Sequence, residues 1–329
     1  MIGVALLSSW HVHAKDYLRQ AQENPGTQVV AVWDEQPDRG QQAADELGVD
    51  FVADLGQLLG RDEVDGVICT TPSAMHRDVL VAAAVAGKHI FTEKVLATTV
   101  SEAAEILAAV QGAGVVLTLS LPRLYDAYTQ AIDEVLASGR LGTLTLARCR
   151  LSHGGAWDNW LPDRFYSLAD CGGGALIDLG CHPMYLVAKF LGGLPETISA
   201  TFGHITDREV EDTAVAVLSY PGGAIGLVEA GFVNRKNPFE IEIHGTDGSL
   251  FYGTPDSRLL VKAGSDDGFS EVPIGDRLPM AYDQWVAAIQ GQTFTAENIA
   301  HGRDLTTLMD AANRAALSHT SISISALTS

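Results

Sequence analysis

Lys94, Asp178 and His182 are residue types whose combined chemistry suits a carbon bearing a hydroxyl or keto oxygen. Lys94 ends the run Phe91-Thr-Glu-Lys94, and Asp178 and His182 close the stretch Gly172-Gly-Gly-Ala-Leu-Ile-Asp-Leu-Gly-Cys-His182. A histidine, with an ordinary pKa near ~6.5, can take a proton from an alcohol oxygen or return one to it. Asp178 and His182 stand four residues apart, a spacing that puts both on one side of a helix. The carboxylate can then hold a hydroxyl or orient the imidazole. A lysine after a buried strand supplies positive charge to a developing alkoxide, a contribution of about 2–4 kcal/mol by analogy with oxyanion donors.

Hydride transfer also needs a nicotinamide dinucleotide, and the cofactor signals are uneven. A dinucleotide turn normally carries glycines that let backbone N–H groups approach the pyrophosphate at a helix N-terminus. After the first apolar run this chain has Leu6-Leu-Ser-Ser-Trp-His-Val-His13, with no glycine. Ser8, Ser9, Trp10 and His11 are the expected contacts there, although a serine-rich turn is more often only a helix cap. Asp34 ends the second β-run, where a carboxylate binds an adenosine ribose and repels a 2′-phosphate; a plain turn aspartate is the alternative. With Glu35 beside it and no adjacent arginine, NAD is expected over NADP. Trp157 and Trp160, followed by Arg164 and Tyr166, suit a carbohydrate with apolar faces and hydroxyl partners. They equally suit a loop packed on a sheet or a second subunit. His11 and His13 suggest a metal, yet no carboxylate or cysteine near them completes a ligand pattern, so none is expected.

These residues must be positioned by strands and helices, and the pattern supplies them. Ile2 to Leu7 is a continuous apolar run, as in a parallel strand covered on both faces. Helix is expected from about His13 to Glu23, strand at Gln28–Trp33, and helix from Pro37 to Leu47, closed by Gly48. Strands at Val64–Cys69, Lys88–Phe91 and Val115–Leu119 alternate with helices at Met75–Ala86 and Ser101–Gln111, the latter with Ser101 as cap. This alternation predicts a doubly wound parallel sheet over residues 1–122. Beyond it come a helix from Tyr125 to Ser138 and a strand from Thr143 to Leu151. Further β-runs at Ile198–Phe202, Ala214–Tyr220, Ala224–Phe232, Glu240–His244 and Leu259–Lys262 have no helices between them. They predict an α/β second domain, residues 123–329, with a large, mostly antiparallel open sheet. A helical region from Tyr282 to Leu317 completes the chain and is expected to be able to pack back on the first domain.

The bulk composition narrows the partners. The 329 residues are long for one domain, and a hydrophobic fraction of 47% supplies a core. With 41 acidic and 21 basic residues the formal charge is −20, which repels phosphate backbones and anionic lipid. Neither nucleic acid nor membrane is an expected partner. No apolar stretch approaches a membrane span, and the apolar amino end lacks the basic region of a signal peptide. Cys69, Cys149, Cys171 and Cys181 form no Cys-x-x-Cys pair, consistent with reduced thiols in the cytoplasm.

Taken in order, Thr70-Thr-Pro-Ser-Ala-Met-His76, Phe91-Thr-Glu-Lys94 and Asp178-Leu-Gly-Cys-His182 resemble the Gfo/Idh/MocA oxidoreductase family, the glucose–fructose oxidoreductase and inositol dehydrogenase group. The resemblance runs over nearly the whole chain. It implies NAD(P)-dependent hydride transfer to or from a sugar, cyclitol or related polyol, with His182 as acid/base, Lys94 as alkoxide stabiliser and Asp178 as orienting group. It further implies cofactor contacts at Thr70, Thr71, Pro72, His76, Glu93, Lys94 and Arg123, places His13 near the cofactor, and makes the open sheet face a homodimer or homotetramer contact. Three positions depart from the family pattern: the glycine fingerprint is absent, Val95 stands for a proline, and Tyr185 for an aspartate. A ligand-sensing or regulatory protein without turnover is the competing expectation.

Overall fold

A computed structural model describes residues 1–236, 238–293 and 295–328. The chain divides into two compact units, Met1–Leu121 with Pro279–Arg303, and Pro122–Leu278 with Asp304–Ser329.

The first unit opens with β1 (Ile2–Leu7), α1 (Ala14–Glu23), β2 (Thr27–Trp33), α2 (Pro37–Leu47), β3 (Asp50–Phe51) and α3 (Leu55–Leu59). It continues with β4 (Gly66–Cys69), α4 (His76–Val85), β5 (His89–Thr92), α5 (Val100–Ala113) and β6 (Leu117–Leu119). Six strands pair in the order β3-β2-β1-β4-β5-β6, all parallel. This is the expected doubly wound sheet, with its strand order reversing between β1 and β4, where the carboxyl ends of the strands open a ligand crevice. Every residue of β1 is buried, which is why it reads as an unbroken apolar run. Helix α2 starts with Pro37 in its first turn and ends at Gly48, whose φ of 68° is the left-handed cap.

The cap of α5 differs from expectation. Thr99, not Ser101, accepts the Glu102 N–H, while the Glu102 carboxylate accepts the Thr99 N–H at 3.1 Å. The reciprocal pair satisfies two otherwise free donors, and Ser101 is left exposed on the first turn.

The second unit contains α6 (Ala127–Ala137), β7 (Leu144–Ser152), α7 (Leu168–Cys171), α8 (Cys181–Phe190), β8 (Thr197–Gly203), β9 (Thr213–Ser219) and β10 (Ile225–Gly231). Strands β11 (Phe239–Gly245), β12 (Gly248–Gly253), β13 (Arg258–Ala263) and β14 (Ser270–Val272) follow. The expected final helical region is two helices, α9 (Ala281–Ile289) and α10 (Ala296–Ser318), before β15 (Ile322–Ser323) and α11 (Ser325–Thr328). Position 294, within that region, and position 329, where the second domain was expected to end, lie outside the described residues. Helix α9 belongs to the first unit: Trp285 is fully buried, 6.0 Å from the Phe91 ring on β5.

Nine strands form one sheet, β14-β13-β12-β11-β7-β10-β9-β8-β15. All pairs are antiparallel except β7 with β10, which run parallel. The long excursion between β7 and β10 makes that parallel pairing feasible, since parallel neighbours need a crossover. Strand β12, which the β-runs expected from sequence did not include, is a full member of the sheet. Helix α8 packs on β7 and β10, so these central strands fix the position of its first turn.

Thr99→Ala is expected to lower stability by about 1 kcal/mol, the usual value of an N-cap, whereas Ser101→Ala should leave it nearly unchanged. Thermal denaturation of the two variants distinguishes the caps, and equal effects would contradict this assignment.

Candidate active site

In the first unit the site residues gather at the carboxyl ends of β1, β2, β4 and β5. The turn after β1 is built without glycine, yet Ser8 adopts φ of 73°, a region L-residues occupy at a cost on the order of 1–2 kcal/mol. Its surroundings hold it there. Ser8 N–H donates to the Trp33 carbonyl at 2.7 Å, and its own carbonyl accepts the Thr70 hydroxyl at 2.6 Å. Ser8 Oγ accepts the Trp10 N–H at 3.0 Å and an N–H of Arg39 at 3.3 Å. Ser8, Trp10, His11, Thr70 and Thr71 are all buried, and His11 N–H donates to the Thr70 carbonyl.

Asp34 stands where a ribose reader should, at the end of β2, and its environment corrects one premise. An arginine does adjoin it. Arg39 Nε donates to Asp34 Oδ2 at 2.9 Å, and Arg39 Nη2 donates to Asp34 Oδ1 at 2.7 Å and to Glu35 Oε1. Asp34 also accepts the N–H groups of Ser9 and Gln36, each at 2.8 Å. The contact escaped the sequence reading because Arg39 lies in the first turn of α2, five residues beyond Asp34. The second oxygen of Glu35, Oε2, is buried without a hydrogen-bond partner. A buried carboxylate oxygen of this kind is suited to a hydroxyl donor, and with Asp34, Ser8 and Ser9 it makes a donor and acceptor set that fits the ribose and phosphate of a dinucleotide.

Glu93 is the junction of this unit's site. It is 1% exposed, and Oε1 lies 2.6 Å from His13 Nδ1 and 3.4 Å from His11 Nδ1. The Tyr17 hydroxyl, paired with Ser120 Oγ at 2.7 Å, donates to the same oxygen, and Oε2 accepts the Lys94 N–H at 2.9 Å. Burial alone would raise the carboxyl pKa, but the positive charge of His11, His13 and Lys94 and the His13 bond hold it well below the ordinary range. The carboxylate missing beside the two histidines in sequence is thus supplied by the fold, with ligand-type atoms within 4.8 Å of one another. The short His13 contact is a hydrogen bond to the carboxylate, which can only accept, so Nδ1–H is the donor. Lys94 is 5% exposed, and the Lys94–Val95 peptide is cis.

His76 is fully buried, its Nδ1 2.8 Å from the Val95 carbonyl, and burial lowers its pKa. A neutral ring with Nδ1–H donating to that carbonyl braces the segment following Lys94. Pro72 leads into the short turn Ser73–Met75 before α4.

In the second unit, Asp178 and His182 are not on one continuous α-helix. Leu176–Gly180 winds as a π-helix ahead of α8, so the i, i+4 reasoning from a regular helix does not apply as stated. Close packing around Gly180 accompanies this winding: a Cβ there would lie 2.7 Å from Leu176 and 3.0 Å from Ala230. Asp178 is half-buried and His182 is 7% exposed. His182 Nδ1 lies 3.0 Å from the Tyr185 hydroxyl.

The preceding glycines are held by Glu211, which accepts the N–H groups of Gly174 at 2.8 Å and Leu176 at 2.9 Å. A Cβ on Gly174 would come within 2.1 Å of the Glu211 carbonyl, so glycine is required by close approach. Burial pushes the Glu211 carboxyl up to about 7 against the pull of those donors. His153, stacked on Phe232 with ring centroids 5.1 Å apart, has its pKa lowered by burial and feels the Asp178 charge. Neither Glu211 nor His153 carries a signal in the sequence, because both join the site through the sheet.

The remaining expected residues lie in the second unit, where Trp160 and Tyr166 join one ring cluster through His153 and Phe232. Trp157 and Trp160 are 47% and 57% exposed. Arg235 lies 5.6 Å from the Trp157 ring, and His153 lies 4.6 Å from that of Trp160. Tyr166 is buried beneath Arg208 at 4.2 Å, and Arg164 lies 5.8 Å from the Phe165 ring. The guanidinium of Arg123 covers the Phe239 ring at 4.3 Å and donates to the Tyr128 hydroxyl at 3.2 Å.

A six-stranded parallel sheet with acidic residues closing β2, joined to a second unit with a large mixed sheet, defines a two-domain dinucleotide-dependent oxidoreductase. Residues 1–121 match the model of the oxidoreductase family with NAD-binding Rossmann fold, and residues 129–251 match the GFO/IDH/MocA C-terminal domain. The chain belongs to the Gfo/Idh/MocA family. It is 30% identical over 256 residues to a scyllo-inositol 2-dehydrogenase (NAD(+)) of Bacillus subtilis (strain 168), covering 74% of this chain and 70% of that protein. It is 29% identical over 240 residues to a 1,5-anhydro-D-fructose reductase of Ensifer adhaerens, covering 72% of each. Among solved structures, levoglucosan dehydrogenase in complex with NADH and levoglucosan has the same fold, with TM-score 0.82, 22% identity, and 98% of this chain and 99% of that chain covered.

The Glu211 carboxyl gives a pH test. The unfolded chain releases this proton near 4.5, the folded one near 7. Between those values the native state binds more protons, so its contribution to stability is present below 4.5 and is lost as pH rises through 7. Unfolding free energies across this window should fall more steeply with pH for the wild type than for Glu211→Gln. Parallel pH profiles would contradict the buried titration.

Proposed function

We propose that this chain transfers hydride between NAD(H) and a hydroxyl or keto carbon of a sugar, cyclitol or related polyol. The observation that carries this reading is the acidic end of β2 in the first unit, where buried Asp34 and part-buried Glu35 face one guanidinium, in a chain that also carries Lys94, Asp178 and His182. NAD supplies the hydride acceptor when bound. Ser8, Ser9, Trp10 and His11 form the turn facing its phosphates, and Asp34 and Glu35 Oε2 accept from the adenosine ribose. Thr70, Thr71, Pro72, His76, Glu93 and Arg123 complete or brace the cofactor's surroundings. Two carboxylates against the single Arg39 guanidinium leave a net negative charge at the end of β2, which disfavours the 2′-phosphate of NADP.

Lys94 donates to the substrate oxygen and stabilises the alkoxide as charge develops, Asp178 orients the hydroxyl, and His182 exchanges a proton with it. Burial of Lys94 sharpens its electrostatic effect. Trp157 and Trp160 offer apolar faces to a sugar ring, with Arg164 and Tyr166 as polar partners. The polyol class is supported by the relatives named for inositol and anhydrofructose.

A homodimer or homotetramer through the open sheet face belongs to the same proposal. Exposed Val215 on β9 and Ile225 on β10 support it. A cytoplasmic location belongs to the proposal too, supported by four buried cysteines that are all free thiols.

Lys94→Ala should cut turnover roughly 10²–10³-fold, as expected for removal of an oxyanion donor, with thermal stability retained. A spectrophotometric NADH assay over keto-sugars, inososes and polyols checks it. Near-wild-type turnover in the variant would remove Lys94 from the mechanism.

A further inference from the structure

Position 185 carries a tyrosine three residues beyond His182, and its hydroxyl sits between two nitrogens. Tyr185 is 1% exposed and His182 7%. The Tyr185 oxygen lies 3.1 Å from the backbone nitrogen of Arg123 and 3.0 Å from His182 Nδ1. The chemistry of these groups decides who donates. A backbone N–H has only a proton to give, so Arg123 donates to the phenol oxygen. The phenol keeps its own proton, because burial holds its pKa well above the ordinary value. That proton needs an acceptor in a site closed to water, and the acceptor facing it is His182 Nδ1. The opposite arrangement, with Nδ1–H donating to the phenol oxygen, would have the hydroxyl accept twice and leave its proton buried without a partner.

We propose that Tyr185, anchored by the Arg123 N–H, is a positioning residue that fixes neutral His182 as the Nε2–H tautomer. A carboxylate at position 185 would do the reverse. It can only accept, so it would draw the proton to Nδ1 and leave Nε2 bare. The exchange of an acid side chain for a phenol therefore inverts which ring nitrogen carries hydrogen. With its hydrogen on Nε2, the neutral ring presents a donor, not an acceptor, to a substrate carbonyl or alkoxide oxygen. This consequence rests on the role given to His182 above; the tautomer itself does not. The hydrogen bond also sets the ring plane: the two rings meet at 81°, with centroids 5.7 Å apart.

The test is the ¹⁵N spectrum of full-length protein labelled at histidine ring nitrogens, with and without NADH, at a pH where His182 is neutral. The His182 signals are assigned by their loss in His182→Gln. The expected result is a pyrrole-type shift at Nε2 and a pyridine-type shift at Nδ1 in the wild type, giving way to averaged tautomers in Tyr185→Phe. A wild-type proton on Nδ1 would overturn the proposal without reference to any variant. So would a Tyr185→Phe spectrum identical to wild type. Turnover of His182→Gln on the same substrates separates the two readings. Undiminished activity there, with the Nε2–H tautomer seen, would end the acid/base role of His182 and leave the tautomer assignment standing.

Discussion

A buried carboxylate must be met on all sides or it destabilises the fold that encloses it, and Glu93 imposes that constraint on the first unit. It draws His11 and His13 from the β1–α1 turn, Tyr17 from α1 and the Lys94 N–H from its own segment toward two oxygen atoms. These partners are what hold a glycine-free turn and a buried lysine in fixed places. Removing any one leaves the others facing an uncompensated charge. The family's Glu-Lys pair is therefore one mechanical unit: the glutamate sets the backbone from which the lysine extends, and His76 braces the following residue through the Val95 carbonyl.

The lost glycine fingerprint finds its physical answer in Ser8. A left-handed residue without glycine is costly, and the cost is offset by four hydrogen bonds made by its backbone and hydroxyl. One of them comes from Arg39, which also spans Asp34 and Glu35. The same side chain thus couples the shape of the β1–α1 turn to the charge at the end of β2. In the second unit Glu211 plays the corresponding part, pinning the glycine segment ahead of the π-turn that presents Asp178.

Much of this was legible in sequence, and the failures share a cause. The limits of β1 and α2 follow from an unbroken apolar run and from Pro37 and Gly48, all local signals. The proposal for Lys94, Asp178 and His182 rests on motif and spacing, again local. What escaped depends on residues far apart in the chain. Glu93 meets His13 across 80 positions, Glu211 meets Gly174 across 37, and the parallel pairing of β7 with β10 joins strands separated by α8 and two other strands. Arg39 was nearer, but its reach back to Asp34 appears only once α2 is wound. Ser101 was chosen as a cap because serine favours the position, whereas the reciprocal Thr99–Glu102 pair requires the chain to turn two residues earlier.

The central claim is that the crevice beside Asp34 and Glu35 binds a nicotinamide dinucleotide despite its serine turn. Calorimetric titration of the purified protein with NADH and with NADPH tests it most directly. The account predicts saturable binding of NADH, clearly tighter than that of NADPH. Binding of neither would contradict the account and favour a ligand-sensing protein built on the same fold.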